Sequence, residues 1–144
     1  MGLGWVAFEK SYEDDCCIEY KYCHDSYEMD GTIRIKKESS HRIETDSMFN
    51  RFSNEEKDEI FRVVLGELDE EPKVNKELWQ EYRKRLYENE RSYEEWIHKS
   101  IAELKLSATD SEKGFFAYKV IHFVYGICCG DSWDFPDKKV LAYG

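Results

Sequence analysis

The chain has 144 residues, of which 41% are apolar and 15% aromatic, and its formal net charge is −10. A chain of this length usually forms one domain, so we predict a single α+β domain over residues 1–144. The aromatic content excludes intrinsic disorder, because disordered chains contain few large apolar side chains.

The negative charge is concentrated in two segments. Residues 1–31 and residues 53–71 each carry a net charge of −6, and the other 94 residues sum to +2. Clustered carboxylates create a directional field that attracts cationic partners and repels polyanions. This distribution argues against direct binding of nucleic acid, which requires a basic surface.

The first part of the chain has the alternating pattern of β-strands. Residues 4–12, 16–23 and 32–37 form three such runs, in which Ile18 and Tyr20, and then Ile33 and Ile35, share one side. Acidic residues 13–15 and an Asp-Gly pair at position 30 provide turns. These runs predict an antiparallel meander.

Two helical segments follow. Ser53 and Glu56 form a capping box, and apolar residues then recur at helical spacing, which predicts a helix over residues 53–68. A second stretch covers residues 75–105 and contains another capping box at Ser92, which predicts two helices, or one bent helix, with a break near residues 89–91. We expect both segments to pack on one sheet face through Ile60, Val64, Leu86, Ile97 and Ile101.

Residues 115–127 are rich in Tyr, Val, Ile and Phe, which favours a strand. Their length, and the motif Thr109-x-x-Glu112 before them, also permit a buried helix. We predict the strand, followed by a loop over residues 131–137 and a last strand over residues 140–143. The order of elements predicts an α+β fold: a mainly antiparallel sheet, made of the N-terminal meander and C-terminal strands, with two to three helices packed on one face.

The five cysteines do not have the spacing of a metal site. Zinc ligands usually come in pairs separated by two to four residues, whereas Cys16-Cys17 and Cys128-Cys129 are adjacent. We therefore expect no disulfide framework, no metal and no cofactor, with Cys16 as a small core residue. Cys23 or Cys128 could pair with a histidine as a nucleophile, which leaves an enzyme as an alternative.

The sequence favours a cytoplasmic location. Residues 1–8 lack the basic lead and apolar core of a secretory signal. No apolar run reaches the roughly 18 residues of a membrane span, so we expect no membrane association.

Clustered acidity without a catalytic motif suggests a protein-binding function. Bacterial immunity proteins and antitoxins against nuclease toxins are similar in composition, being compact and acidic. The hypothesis is therefore an acidic cytoplasmic inhibitor that blocks a basic protein partner, such as a nuclease toxin, by pairing carboxylates with its Lys and Arg side chains. The alternatives are a small enzyme without a recognisable short motif, and a regulatory adaptor or a homodimer formed through a sheet edge.

The candidate partner-binding residues lie at a strand turn, at a helix end and in the loop before the last strand. Acids at the C-terminal end of a helix are disfavoured by the helix dipole, so their presence there suggests another use. The predicted set is Asp14, Asp15, Glu67, Asp69, Glu70, Glu71, Asp131, Trp133 and Asp134.

Overall fold

The computed structural model describes residues 4–24, 28–110, 114–130 and 132–143. This part of the chain has an α+β fold, with five strands in one antiparallel sheet of order β4-β3-β2-β1-β5 and helices packed on it. The predicted fold class and the N-terminal meander are confirmed. The elements in chain order are β1 (Gly4–Glu13), β2 (Cys17–His24), β3 (Gly31–Lys36), α1 (Asp46–Phe49), α2 (Asn54–Val64), α3 (Lys76–Ser100), β4 (Ile101–Lys105), α4 (Phe115–Cys128) and β5 (Lys138–Tyr143).

The chain divides into two compact units. The sheet unit comprises Met1–His41 and Tyr93–Gly144, and the helical unit comprises Arg42–Ser92. Helix α3 contributes its first part to the helical unit and its last residues to the sheet unit. The assignment of one domain to residues 1–144 stays a prediction.

The core of the sheet unit follows from the strand alternation. Ile18 lies opposite Ile35 and Tyr20 opposite Ile33, and all four side chains are fully buried. Strand β1 lies between β2 and the edge strand β5, and Val6 lies opposite Leu141 in the pairing with β5. The predicted alternation of these strands is therefore confirmed.

Helix α4 covers the buried face of this sheet. Val120, Ile121 and Val124 have no exposed surface, and the Phe123 ring lies edge-on to Phe8 at 5.4 Å. The predicted strand over residues 115–127 is wrong, and the helical alternative is right. A segment that is apolar on most sides shows neither a helical nor a strand period. Its β-branched residues then favour a strand, although the segment is a helix.

Helix α4 begins in an arrangement that sequence spacing does not reveal. Gly114, at its N-cap, has φ of 69° and supplies no capping side chain. Asp110 instead accepts hydrogen bonds from the backbone N–H groups of Phe116 at 3.2 Å and Ala117 at 2.9 Å. The same carboxylate accepts a hydrogen bond from the Tyr22 hydroxyl at 2.7 Å, and this bond links the start of the helix to β2. Glu112 of the proposed capping motif lies outside the described residues.

Helix α3 is continuous from Lys76 to Ser100 and is followed directly by β4. The predicted break near residues 89–91 and the predicted helix end at residue 105 are both wrong. Leu104 pairs with Ile33 and Ile101 with Ile35, so strand pairing overrides the helical spacing of this segment. Ile97 and Ile101 pack against the core of the sheet unit, as predicted.

The helical unit has a separate small core. Met48, Phe52 and Ile60 are buried, and the ring of Tyr82 lies within 5.8 Å of Phe49 and 5.7 Å of Phe52. The predicted packing of two further residues is wrong: Val64 is 69% exposed and Leu86 is 40% exposed. Val64 is the last residue of α2, and Leu86 lies one turn beyond Tyr82, so both lie past the aromatic cluster.

Replacing Ile121 tests the burial of α4 against the sheet. Ile121→Ala should lower the free energy of unfolding by about 2–5 kcal/mol, because it leaves a cavity between α4 and the sheet. Leu86→Ala is the matched control and should cost about 1 kcal/mol or less, since Leu86 is 40% exposed whereas Ile121 is fully buried. Urea denaturation measures both values, and equal losses would contradict this placement of the core.

Candidate functional site

The predicted binding residues fall in both units. Asp14, Asp15, Trp133 and Asp134 belong to the sheet unit, whereas residues 67–71 belong to the helical unit. Asp131 lies outside the described residues. The two groups are therefore two separate candidate surfaces.

Asp14 organises the turn between β1 and β2. One carboxylate oxygen accepts the backbone N–H groups of Cys16 and Cys17, both at 2.7 Å, and the other accepts the Tyr12 hydroxyl proton at 2.6 Å. These hydrogen bonds lower the pKa of Asp14; the bond from Tyr12 has the largest effect, and the two backbone bonds have smaller ones. Asp15 is the next residue in this turn and is exposed. Asp14 therefore has a structural use, whereas Asp15 is available to a partner.

Glu13 joins this turn to two lysines. It accepts hydrogen bonds from Lys10 and Lys37, both at 2.7 Å, and these bonds lower the pKa of the Glu13 carboxyl. The Lys37 ammonium group also lies 5.6 Å from the centre of the Phe135 ring. The loop that contains Phe135 is thus held at the same end of the sheet as the turn.

Two further contacts hold this loop. Lys10 lies 3.3 Å from the carboxylate of Asp137, and the Tyr20 hydroxyl donates to the carbonyl oxygen of Pro136 at 2.8 Å. The structure therefore brings the turn and the loop together, although they are far apart in sequence. We call this region the acidic sheet end; its carboxylates are Glu13, Asp14, Asp15, Asp134 and Asp137.

The aromatic residues of this loop have different environments. Phe135 is buried in the core, whereas Trp133 is 38% exposed with its ring centre 6.5 Å from that of Phe135. Asp134, between them, is exposed. Trp133 is therefore anchored on one side and accessible on the other, as aromatic residues at protein interfaces often are.

The acidic residues of the helical unit also differ in whether their carboxylates contact other side chains. The carboxylate of Glu67 lies 3.6 Å from the Arg62 guanidinium group. The carboxylate of Glu71 accepts hydrogen bonds from the Trp79 indole N–H at 2.6 Å and from Arg83 at 2.7 Å. Asp69 and Glu70 are exposed, and neither has an ion pair within residues 4–24, 28–110, 114–130 and 132–143. Asp69 and Glu70 are thus the more available carboxylates.

These two acids lie in the loop between α2 and α3. Gly66, with φ of 78°, ends the helix, and the N–H of Glu67 returns to the carbonyl of Arg62 at 2.8 Å. The following loop reaches the start of α2, where the N–H of Asn75 donates to Glu56 at 2.9 Å. The loop therefore runs back along the helix. The predicted capping box of Ser53 and Glu56 is confirmed.

Sequence reasoning missed an apolar surface on α2. Phe61, Val64 and Leu65 are 53%, 69% and 72% exposed. Val64 had been assigned to the core. A signal was present, because apolar residues at positions 60, 61, 64 and 65 cover a wider arc of the helix than one buried face requires.

The contacts of His24 and His122 include aromatic rings, and the cysteines differ in burial. Cys23 and His24 are successive strand residues and point to opposite faces; the His24 ring stacks on Phe116 with a centroid distance of 3.3 Å. Burial raises the pKa of the Cys128 thiol to about 11, which disfavours the reactive thiolate. The His122 ring lies against Tyr93 at 5.1 Å. Cys16, predicted as a core residue, is exposed because it lies in the turn before β2.

Comparisons with protein-family models, curated proteins and solved structures found no match. Among the described residues, no helix combines the length and the apolar character needed to span a membrane. In the same part of the chain, no three His, Cys, Asp or Glu side chains converge as metal ligands would.

The hydrogen bonds of Asp14 predict a pH-dependent contribution to stability. Because its pKa is lower in the folded state, this contribution is present above the unfolded pKa and is lost as the pH falls through the folded pKa. Asp14→Asn should therefore be less stable than wild type at pH 7, and the difference should shrink as the pH falls through the folded pKa of Asp14. Urea denaturation over a series of pH values measures this. Asp15→Asn is the control and should differ from wild type by less than about 0.5 kcal/mol at pH 7, since Asp15 is exposed.

The cysteine environments predict selective thiol labelling. In the native protein a thiol reagent should modify exposed Cys16, whereas buried Cys23 and Cys128 should react only after unfolding. The melting temperature should be unchanged by reductant or by a metal chelator. Mass spectrometry after labelling and a thermal melt measure these outcomes, and a large drop in melting temperature with either additive would contradict the prediction.

Proposed function

We propose that this protein is an acidic cytoplasmic inhibitor that binds and covers a basic protein partner, in the manner of immunity proteins and antitoxins. The observation that carries the proposal is the acidic sheet end, where Asp15 in the turn and Trp133 and Asp134 in the loop are all exposed. An accessible aromatic ring on a loop with exposed carboxylates has the composition of a binding hot spot with a polar rim.

The mechanism combines steric and electrostatic effects. Trp133 would enter an apolar depression of the partner, while Asp15 and Asp134 pair with its Lys or Arg side chains. A nuclease toxin uses such cations to hold phosphate groups, so covering them would exclude its substrate. Asp69 and Glu70 of the helical unit would add to the field that attracts the partner.

The alternatives from the sequence have less support. An enzyme acting through cysteine would need a lowered thiol pKa, whereas burial raises that of Cys128. A homodimer through a sheet edge would use β4 or β5, the outer strands of the sheet. Strand β5 begins with Lys138 and Lys139, and repulsion between charges of the same sign disfavours pairing of two copies there.

The test is capture of the partner from the native host, followed by binding kinetics with the purified partner. The variant Asp15→Asn/Trp133→Ala/Asp134→Asn should bind at least about tenfold more weakly, because it removes the anchor and its charged rim. Association by wild type should also slow steeply with added salt, since screening shortens the range of electrostatic steering.

The matched control neutralises two exposed acids outside both acidic segments. Glu90→Gln/Glu94→Gln on α3 changes the net charge equally and should leave affinity nearly unchanged. The proposal would be rejected if the captured partner were acidic, or if both variants weakened binding to the same extent.

A further inference from the structure

The last two turns of α2 carry a contiguous apolar surface formed by Phe61, Val64 and Leu65. Residues three and four positions apart are neighbours on a helix, so these side chains adjoin one another. More than half of each is exposed. Single exposed apolar residues are common, but a contiguous group ringed by polar residues usually marks an interaction site.

The surface is held in place by its neighbours. The Phe61 ring packs edge-on against Phe49, with a centroid distance of 5.5 Å. Leu65 is the C-cap of α2, and the hydrogen bonds around Gly66 fix its position. Preorganisation of this kind lowers the entropic cost of binding.

The charge around the surface restricts the kind of occupant. Asp58 lies one turn before Phe61 on the exposed side of α2, and Asp69 and Glu70 lie in the loop after the helix. The two cations of α2 are both engaged, since Lys57 lies over the Phe49 ring and Arg62 lies 3.6 Å from Glu67. Residues 53–71 as a whole have a net charge of −6. A second copy of this segment, a nucleic acid and an anionic membrane would all be repelled. A cationic protein segment would be attracted.

We propose that the α2 apolar surface binds an amphipathic basic segment, in which apolar side chains flanked by Lys or Arg contact Phe61, Val64 and Leu65. The proposal rests on the basic partner of the proposed function and adds a second anchor, in the helical unit. Apolar contact would slow dissociation, while Asp58, Asp69 and Glu70 would accelerate association.

The test uses synthetic peptides of about 15 residues, roughly four helical turns, so that it does not depend on the natural partner. One peptide has leucines at helical spacing among lysines; a second has every leucine replaced by serine. Fluorescence anisotropy with the full chain should show at least about tenfold tighter binding of the Leu/Lys peptide, or about 1.4 kcal/mol. Val64→Ser/Leu65→Ser should reduce its affinity to that of the Ser/Lys peptide.

The matched control is Val140→Ser, which removes an exposed apolar side chain from β5 in the sheet unit and should leave binding unchanged. Thermal melts establish that each variant is folded. Equal affinity for the two lysine peptides, or an unaffected double variant, would overturn this inference while leaving the acidic-inhibitor proposal to its own test with the host partner. Sedimentation that shows a dimer lost in the double variant, or binding of wild type to anionic vesicles, would also overturn it.

Discussion

The carboxylate of Asp110 connects the two layers of the sheet unit. It caps the start of α4 through the N–H groups of Phe116 and Ala117 and accepts the hydroxyl proton of Tyr22 on β2. The Tyr22 oxygen in turn accepts the N–H of Ser107 at 3.0 Å. A carboxylate at a helix N-terminus also interacts favourably with the helix dipole. Because α4 covers the buried side of the sheet, this carboxylate fixes where the covering helix begins.

The parts of the fold that sequence predicted are those determined by near neighbours. Alternation at Ile18 and Tyr20 specified the meander, and the Ser53–Glu56 capping box specified the start of α2. Strand β4 and helix α4 depend instead on groups outside their own apolar pattern. Leu104 becomes a strand residue because Ile33 lies opposite it, and α4 is capped by Asp110, which precedes the position of a capping box and is itself held by Tyr22 of β2. The periodicity of the two segments does not contain that information.

The candidate binding residues also divide into those that sequence could identify and those that required the structure. Charge clustering located the acidic segments, but it did not separate carboxylates that stabilise the chain from those free to meet a partner. Asp14 and Glu71 are engaged by neighbouring donors, whereas Asp15 and Asp69 extend into solvent. That distinction requires the positions of Tyr12, Trp79 and Arg83, which only the folded structure supplies. The exposure of Leu65 likewise depends on where α2 ends.

The pairing of β1 with β5 has a consequence for synthesis on the ribosome. Strand β1 and its partner β2 are made early, but the second edge of β1 is covered only by residues 138–143. Until they emerge, Val6 and Phe8 lie in a strand with an open row of backbone donors and acceptors. Such an edge invites pairing with other chains. Pairing with β5 therefore replaces an edge that carries Val6 and Phe8 with an edge that begins with two lysines, Lys138 and Lys139.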